Sequence, residues 1–258
     1  MKFDVVLLDM DGVLLHGAEP ISGAPATVAW LREQGIPFRV VTNSTGLSTS
    51  GFAQQLHGAG IAIEAHEIVT AVVGTASYLR THYRGSSVFL LSDAAPADDL
   101  AGITLVEEGA DVVVIGGASD EFTYGAVTRA FRMLMDGANL VAMHRNRYWR
   151  AEDGWYLDGG AYVEALEKAS GKEAMVCGKP SRTFFEAALA GTGAEPGRAM
   201  MVGDDIRNDV LAAQETGMTG VLVRTGKFRE EDLEVGEANH VIGGVGELPA
   251  LLEALLEV

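Results

Sequence analysis

The sequence predicts an α/β protein: a parallel sheet with helices on both faces, interrupted by a second α/β unit. Three observations predict it. Short apolar, β-branched runs alternate with segments of helical period. Several of those runs end in acids or other polar side chains, at the edge where open parallel sheets bind ligands. A stretch from about 81 to 175 carries strand and helix signals of its own, with no Pro/Ser-rich linker at either edge. That stretch is read as an insertion within the first domain, so 1–80 and 176–258 form the outer domain and 81–175 the inserted one.

The first strand is Phe3-Asp4-Val5-Val6-Leu7-Leu8-Asp9, aliphatic and ending in acid. A helix follows from about Pro25 to Gln34, because Pro suits a first helical turn and Gly35 a C-terminal stop. Phe38 to Thr42 is the second strand. Met175-Val176-Cys177 is read as a third strand of the same sheet, followed by a helical segment from Phe184 to Leu189. Ala199 to Val202 is the fourth, leading into a helix from about Ile206 to Thr216 that Gly217 stops. Gly220 to Val223 and His240 to Ile242 complete the set. Within the insertion, Ser87 to Leu91 and Asp111 to Ile115 read as strands and Tyr124 to Met135 as a helix. Asp153-Gly154, flanked by aromatic pairs, predicts a hairpin with a type I′ turn.

Composition narrows the function. Thirty-six acids against 19 Lys and Arg give a formal charge of −17. Such a surface repels phosphate backbones and anionic membranes, so neither nucleic acid nor membrane is an expected partner. The first residues lack the basic start and uninterrupted apolar stretch of a signal peptide, and no stretch is apolar enough to span a bilayer. One cysteine, Cys177, excludes an internal disulfide and a cysteine-rich metal site. A cytoplasmic location is the expectation.

Four groups of residues at strand ends carry chemistry. Asp9-Met10-Asp11-Gly12 places two acids at one edge, where a carboxylate ligates a hard cation or acts as a nucleophile. Alone it also reads as a polar turn. Thr42-Asn43-Ser44 offers hydroxyl and amide donors for an anion, or caps a helix. Lys179, in Gly178-Lys179-Pro180, holds a phosphate or neutralises an acid, although most lysines are simply solvated. Gly203-Asp204-Asp205-Ile206-Arg207-Asn208-Asp209 crowds acids at a strand-to-helix junction, where a divalent cation relieves their repulsion. Together these supply a nucleophile, an acid–base group, a phosphate clamp and a metal site.

On these residues the chain resembles the haloacid dehalogenase superfamily of phosphohydrolases. Asp9-Met10-Asp11-Gly12 looks like its first motif, Val41-Thr42-Asn43 its second, Lys179 its third, and Gly203-Asp204-Asp205 with Asp209 its fourth. The insertion resembles the type-2 cap of the NagD-like branch. Glu121-Phe122-Thr123-Tyr124, Phe131-Arg132 and Val223-Arg224-Thr225-Gly226-Lys227-Phe228 are similar to animal members of that branch. Those members carry Ser where this chain has Asp11, the residue of the wider phosphatase superfamily. The resemblance implies a Rossmann-like core and a Mg²⁺-dependent phosphatase acting on a small phosphorylated metabolite. It implies that Asp9 attacks phosphorus, Asp11 is general acid and base, and Thr42, Asn43 and Lys179 hold the transferring oxygens. It places Mg²⁺ on Asp9, the Asp11 carbonyl and Asp204, with Asp205 or Asp209 in a supporting role, and it implies a homodimer through the cap.

Two other readings compete. Carbon–halogen hydrolysis on the same scaffold needs neither Asp11 nor the acidic cluster. A non-catalytic phosphate- or metal-binding protein would show a damaged first motif, and Asp9-Met10-Asp11-Gly12 is intact. His144-Arg145-Asn146-Arg147 either reads an anionic leaving group or is a solvated surface strand. Trp149, Trp155 and Tyr156 are read as cross-strand packing or a subunit interface, His16 as a solvated loop residue and Cys177 as inert packing. Ile115-Gly116-Gly117-Ala118-Ser119 lacks nucleotide-loop spacing and is read as a turn.

Overall fold

The computed structural model describes residues 3–94, 96, 98–151 and 153–256. The chain forms two compact units, one of residues 1–42, 49–69 and 179–258, the other of 43–48 and 70–178.

The first unit is built on a six-stranded sheet in the order His240–Ile242, Thr219–Val223, Ala199–Gly203, Val5–Asp9, Phe38–Thr42, Ile68–Thr70. Val5–Asp9 lies between Ala199–Gly203 and Phe38–Thr42, parallel to both. These strands are buried on both faces, which is why they read as nearly continuous apolar runs. Side chains alternate between faces. Val6, Leu8, Val40, Met200 and Val202 pack with Val28 and Leu31 of the Ala24–Glu33 helix, Phe52 and Leu56 of Thr49–Gly58, and Leu248 and Leu252 of Leu248–Leu256. On the other face Leu222 packs with Ile206 and Val210.

The order of strands runs outward in both directions from Val5–Asp9, so its carboxyl end is a topological switch point. Chain segments diverge there and leave a crevice. Asp9, Thr42 and Gly203 are the last residues of their strands and face that edge.

The second unit has a five-stranded sheet in the order Met175–Val176, Asn139–Ala142, Val112–Ile115, Ser87–Leu91, Thr104–Leu105, all parallel. Helices Ala71–His82, Tyr124–Met135 and Gly159–Ser170 belong to it, capped at their N-termini by the side chains of Thr70, Thr123 and Asp158. An antiparallel hairpin pairs Tyr148–Ala151 with Gly154–Leu157. No helix among the described residues is long and apolar enough to cross a membrane.

Several expectations need correction. Met175–Val176 pairs with Asn139–Ala142 in the second unit, so it is not a strand of the core sheet. A strand of two residues shows nothing of its partner in its own composition. The hairpin forms, but Gly154 pairs with Ala151, so Gly154 is a strand residue and not the second residue of a turn. Residue 152 lies outside the described residues, so the turn type does too. The helix after Asp205 begins with a π-helical turn, Ile206–Leu211, and becomes α-helical only over Ala212–Glu215. The second unit also takes in residues 70–80, because Ala71, Val72, Ala76 and Leu79 pack with Val88, Val112 and Val141.

Candidate active site

The site is built at the carboxyl end of the core sheet, within the first unit. Asp9 ends the central strand, where both neighbouring strands pack against it, and is almost fully buried. Lys179 donates from Nζ to Asp9 Oδ1 at 2.5 Å and lies 2.7 Å from Asp209 Oδ1. Both partners and the lysine are at most 5% exposed. Asp204 follows directly on the Ala199–Gly203 strand, and its Oδ2 accepts from the Lys227 N–H at 2.7 Å. Carboxylate oxygens of Asp9, Asp204 and Asp209 lie within 4.8 Å of one another.

Local backbone explains how acids come so close. A Cβ on Gly203 would sit 2.3 Å from the Asp209 Cβ, so only glycine lets the π-helical turn fold Asp209 back onto the strand end. Gly12 has φ +86, and a Cβ there would fall 1.9 Å from Asp204 Oδ2. That turn is closed by the Gly12 N–H donating to the Leu15 carbonyl at 2.7 Å.

The electrostatics are those of too much negative charge in too little water. Burial pushes the Asp9 carboxyl above its ordinary range, and Asp204 adds to the rise while Lys179 opposes it. Burial also raises Asp204 to about 6, helped by Asp209, and Asp209 to about 7, helped by Asp9. Lys179 is held above its usual range because Asp209 and Asp9 outweigh the cost of burying its charge. Asp11 reaches solvent, yet the protein packed about its carboxyl raises it against the pull of Lys227 and Lys179.

Three buried carboxylates stand against one buried ammonium, Lys179, and the ammonium of the exposed Lys227, which leaves an excess of negative charge. Asp204 Oδ1 is buried with no hydrogen-bond partner among the described residues. A buried acceptor without a donor is costly, and hard oxygen donors at this spacing are what a Mg²⁺-type cation takes. The residues present therefore fit a divalent metal.

The other sequence candidates are placed as follows. Thr42 is buried at the end of its core strand, and Asn43 opens the 43–48 segment of the second unit. Asp205 is a helix cap: its Oδ1 accepts from the Arg207 and Asn208 N–H groups at 3.0 Å, and its Oδ2 from the Asn208 amide at 2.7 Å. Burial would raise its carboxyl, but the Asn208 and Arg207 bonds hold it below the ordinary range. Its own N–H donates to Asp209 Oδ2 at 3.3 Å. Asp209, by contrast, has a carboxylate oxygen within 4.8 Å of those of Asp9 and Asp204. In the second unit Arg145 pairs with Glu167 at 2.6 Å and Arg147 with Glu164 at 2.6 Å, so both cations of that basic run have acidic partners on the Gly159–Ser170 helix. His16 is exposed on a two-residue strand. Cys177 is buried, and burial pushes its thiol up to about 12. Trp149 stacks on Tyr156 with ring centroids 5.0 Å apart, and Tyr148 meets Trp155 edge-on at 5.4 Å.

Sequence reasoning missed the contribution of Thr225 to Lys227. The Thr225 hydroxyl donates to the Gly12 carbonyl at 2.5 Å, and Lys227 N–H holds Asp204. A Gly within a polar tripeptide directly after a strand is the signal that marks such a loop.

Known proteins resemble this chain over most of its length. A model of haloacid dehalogenase-like hydrolases matches residues 6–105, and a second, for HAD-hydrolase-like proteins, matches 176–248. The human haloacid dehalogenase-like hydrolase domain-containing protein 2 is 40% identical over 229 residues, covering 89% of this chain and 87% of the relative. The phospholysine phosphohistidine inorganic pyrophosphate phosphatase of Xenopus laevis is 37% identical over 236 residues, covering 88% and 85%. Among solved structures, NagD from E. coli K-12 matches with a TM-score of 0.88 at 26% identity over 96% of this chain and 98% of its own. A p-nitrophenyl phosphatase from Archaeoglobus fulgidus matches with a TM-score of 0.90 at 26% identity over 96% and 99%. With buried acids at the switch point of a parallel sheet and these relatives over nearly the whole chain, the protein belongs to the haloacid dehalogenase-like hydrolase family, in its NagD-like branch, and is a phosphatase.

Proposed function

We propose that this protein is a Mg²⁺-dependent phosphatase that hydrolyses a small phosphorylated metabolite through an aspartyl-phosphate on Asp9. The observation that carries the reading is the buried cluster of Asp9, Asp204 and Asp209, with Lys179 paired to Asp9 and Asp209 and Asp204 Oδ1 without a donor among the described residues.

Asp9, Asp204 and the carbonyl of Asp11 would hold the metal, with Asp209 supporting it. When bound, Mg²⁺ would supply positive charge to the equatorial oxygens of the transferring group. In the first step the Asp9 carboxylate attacks phosphorus, and the bond from phosphorus to the leaving oxygen breaks. Asp11 gives that oxygen its proton, a task helped by a carboxyl held above the ordinary range. In the second step Asp11, now ionised, takes a proton from water as the water attacks phosphorus. Inorganic phosphate leaves and Asp9 is regenerated. Lys179 fixes one oxygen of Asp9 and faces the incoming anion with a permanent charge, and Thr42 and Asn43 donate to its oxygens. Monoester hydrolysis demands on the order of 20 kcal/mol or more of transition-state stabilisation, and fixed positive groups are its physical source.

The same reading takes the 70–178 unit as the branch's type-2 cap. It takes the exposed aromatic hairpin as a homodimer contact, and a chain with one buried cysteine as cytoplasmic. The test is phosphate release from a panel of sugar phosphates, phosphoglycolate, nucleotides, pyrophosphate and phospho-amino acids, with Mg²⁺ or EDTA. Release that needs Mg²⁺ and disappears in Asp9→Asn is expected. Release that survives EDTA, or survives Asp9→Asn, contradicts the reading.

A further inference from the structure

The loop Thr225-Gly226-Lys227 follows the Thr219–Val223 strand, which is separated from Val5–Asp9 by one strand of the sheet. Its contacts converge on one carboxylate and one turn. The Lys227 N–H donates to Asp204 Oδ2 at 2.7 Å. The Thr225 hydroxyl donates to the Gly12 carbonyl at 2.5 Å. Gly226 has φ +64, and a Cβ on it would fall 2.0 Å from Asp204 Oδ2 and 2.5 Å from the Gly12 Cα. Two glycines thus press on the same carboxylate from two loops, with no room between them for a methyl group. The other oxygen of that carboxylate, Oδ1, is buried and has no hydrogen-bond donor among the described residues.

We propose that Thr225, Gly226 and Lys227 form a positioning loop that locks Asp204 with Oδ2 engaged and Oδ1 presented to a divalent cation, and that ties the turn bearing Asp11 and Gly12 to the same carboxylate. The inference rests on the metal-dependent reading given above. Its physical basis is restriction of rotation. A carboxylate free to turn offers either oxygen, whereas a charge-assisted bond from a main-chain N–H fixes one and aims the other. The Thr225 bond adds the Asp11–Gly12 turn to the same rigid group. In this arrangement Lys227 acts on Asp204 through its main chain. Its ammonium, kept charged by Asp204, Asp9 and Asp209, repels a bound cation.

The test is Mg²⁺ affinity, measured by calorimetry on the resting protein without substrate, alongside far-ultraviolet circular dichroism to verify folding. Gly226→Ala is expected to weaken Mg²⁺ binding on the order of 10- to 100-fold. Thr225→Val, which keeps shape and removes the donor, is expected to weaken it by about tenfold, and Thr225→Ser to restore it. Lys227→Met keeps the N–H and is expected to bind Mg²⁺ as tightly as the wild type, or about threefold tighter for loss of a repelling charge. Folded Thr225→Val with unchanged affinity overturns the inference, as does a loss in Lys227→Met equal to that in Gly226→Ala. A wild type that binds no Mg²⁺ overturns the underlying metal reading instead, which keeps the two failures apart.

Discussion

Both units place acids at the carboxyl ends of parallel strands, and they treat them in opposite ways. In the second unit, Asp93 follows the Ser87–Leu91 strand, and its Oδ1 accepts from the Thr45 hydroxyl at 2.8 Å, the Ser92 hydroxyl at 3.1 Å and the Ala94 N–H at 2.8 Å. Asp158, which leaves the antiparallel hairpin and caps the Gly159–Ser170 helix, accepts at Oδ1 from the N–H groups of Ala118 at 3.1 Å and Gly159 at 2.7 Å. Each acid is surrounded by neutral donors that satisfy it as a cap or turn residue. In the first unit, Asp9 and Asp209 share the buried Lys179 ammonium, Asp204 lies beside them, and Asp204 Oδ1 has no hydrogen-bond partner among the described residues. The architecture is common to both sheets. What distinguishes a reactive edge from a structural one is whether local dipoles neutralise the acids or leave their charge for a cation and a substrate.

The largest effect that tests this contrast is on turnover. Asp9→Asn removes the proposed nucleophile and is expected to lower kcat on the order of 10⁴-fold or more. Asp93→Asn keeps an acceptor oxygen for its donors, so it is expected to retain turnover and cost about 1 kcal/mol of stability. Equal losses from both, measured by phosphate release and urea unfolding, would erase the distinction between the two edges.

Next in size is the buried ammonium. Lys179→Met leaves its carboxylates without their counter-charge, and an expected loss of about 3–5 kcal/mol follows in urea unfolding with EDTA at about pH 8. Arg147, paired with Glu164 on the surface of the second unit, gives the counterpart. Arg147→Ala is expected to cost no more than about 1 kcal/mol, because water screens an exposed pair. A Lys179→Met protein as stable as Arg147→Ala would mean that the acids are already satisfied.

A smaller effect appears in pH dependence. Asp204 and Asp209 are raised from 3.8 to about 6 and about 7. Between the ordinary and the raised values, the folded protein binds more protons than the unfolded chain. The stability these groups contribute is therefore present at acid pH and is lost as pH rises through about 4 to 7. Asp204→Asn removes part of the repulsion, so its Tm relative to metal-free wild type is expected to climb from about pH 5 to about pH 8. A difference that stays flat would mean that the cluster is not electrostatically strained.

Much of the core was legible because its signals are local. Asp9, Thr42, Asp204 and Asp209 each lie at the end of an apolar run, or one helical turn beyond it, and alternation of strand and helix places such ends along one edge. Lys179 was identified, but the strand before it was assigned to the wrong sheet, because the pairing of Met175–Val176 with Asn139–Ala142 is a long-range choice. The helices Thr49–Gly58 and Ala71–His82 went unread because Gly, Ser and Thr interrupt their apolar period. Asn139–Ala142 is short and went unread, although Asp136-Gly137 before it marks the end of the preceding helix. The loop at Thr225–Lys227 was quoted for its resemblance alone, since its role lies in one main-chain N–H to Asp204 and one hydroxyl to the Gly12 carbonyl, a residue 213 positions away.

Asp9 is proposed as the nucleophile that takes up the phosphoryl group at a charge-strained edge. The most direct test is acid quenching of the wild type during turnover with Mg²⁺ and its best substrate, followed by peptide mass mapping. A phosphoryl adduct on Asp9 that is absent from Asp9→Asn is the expected result. Steady turnover with no adduct on Asp9, or an adduct on another residue, would contradict the account.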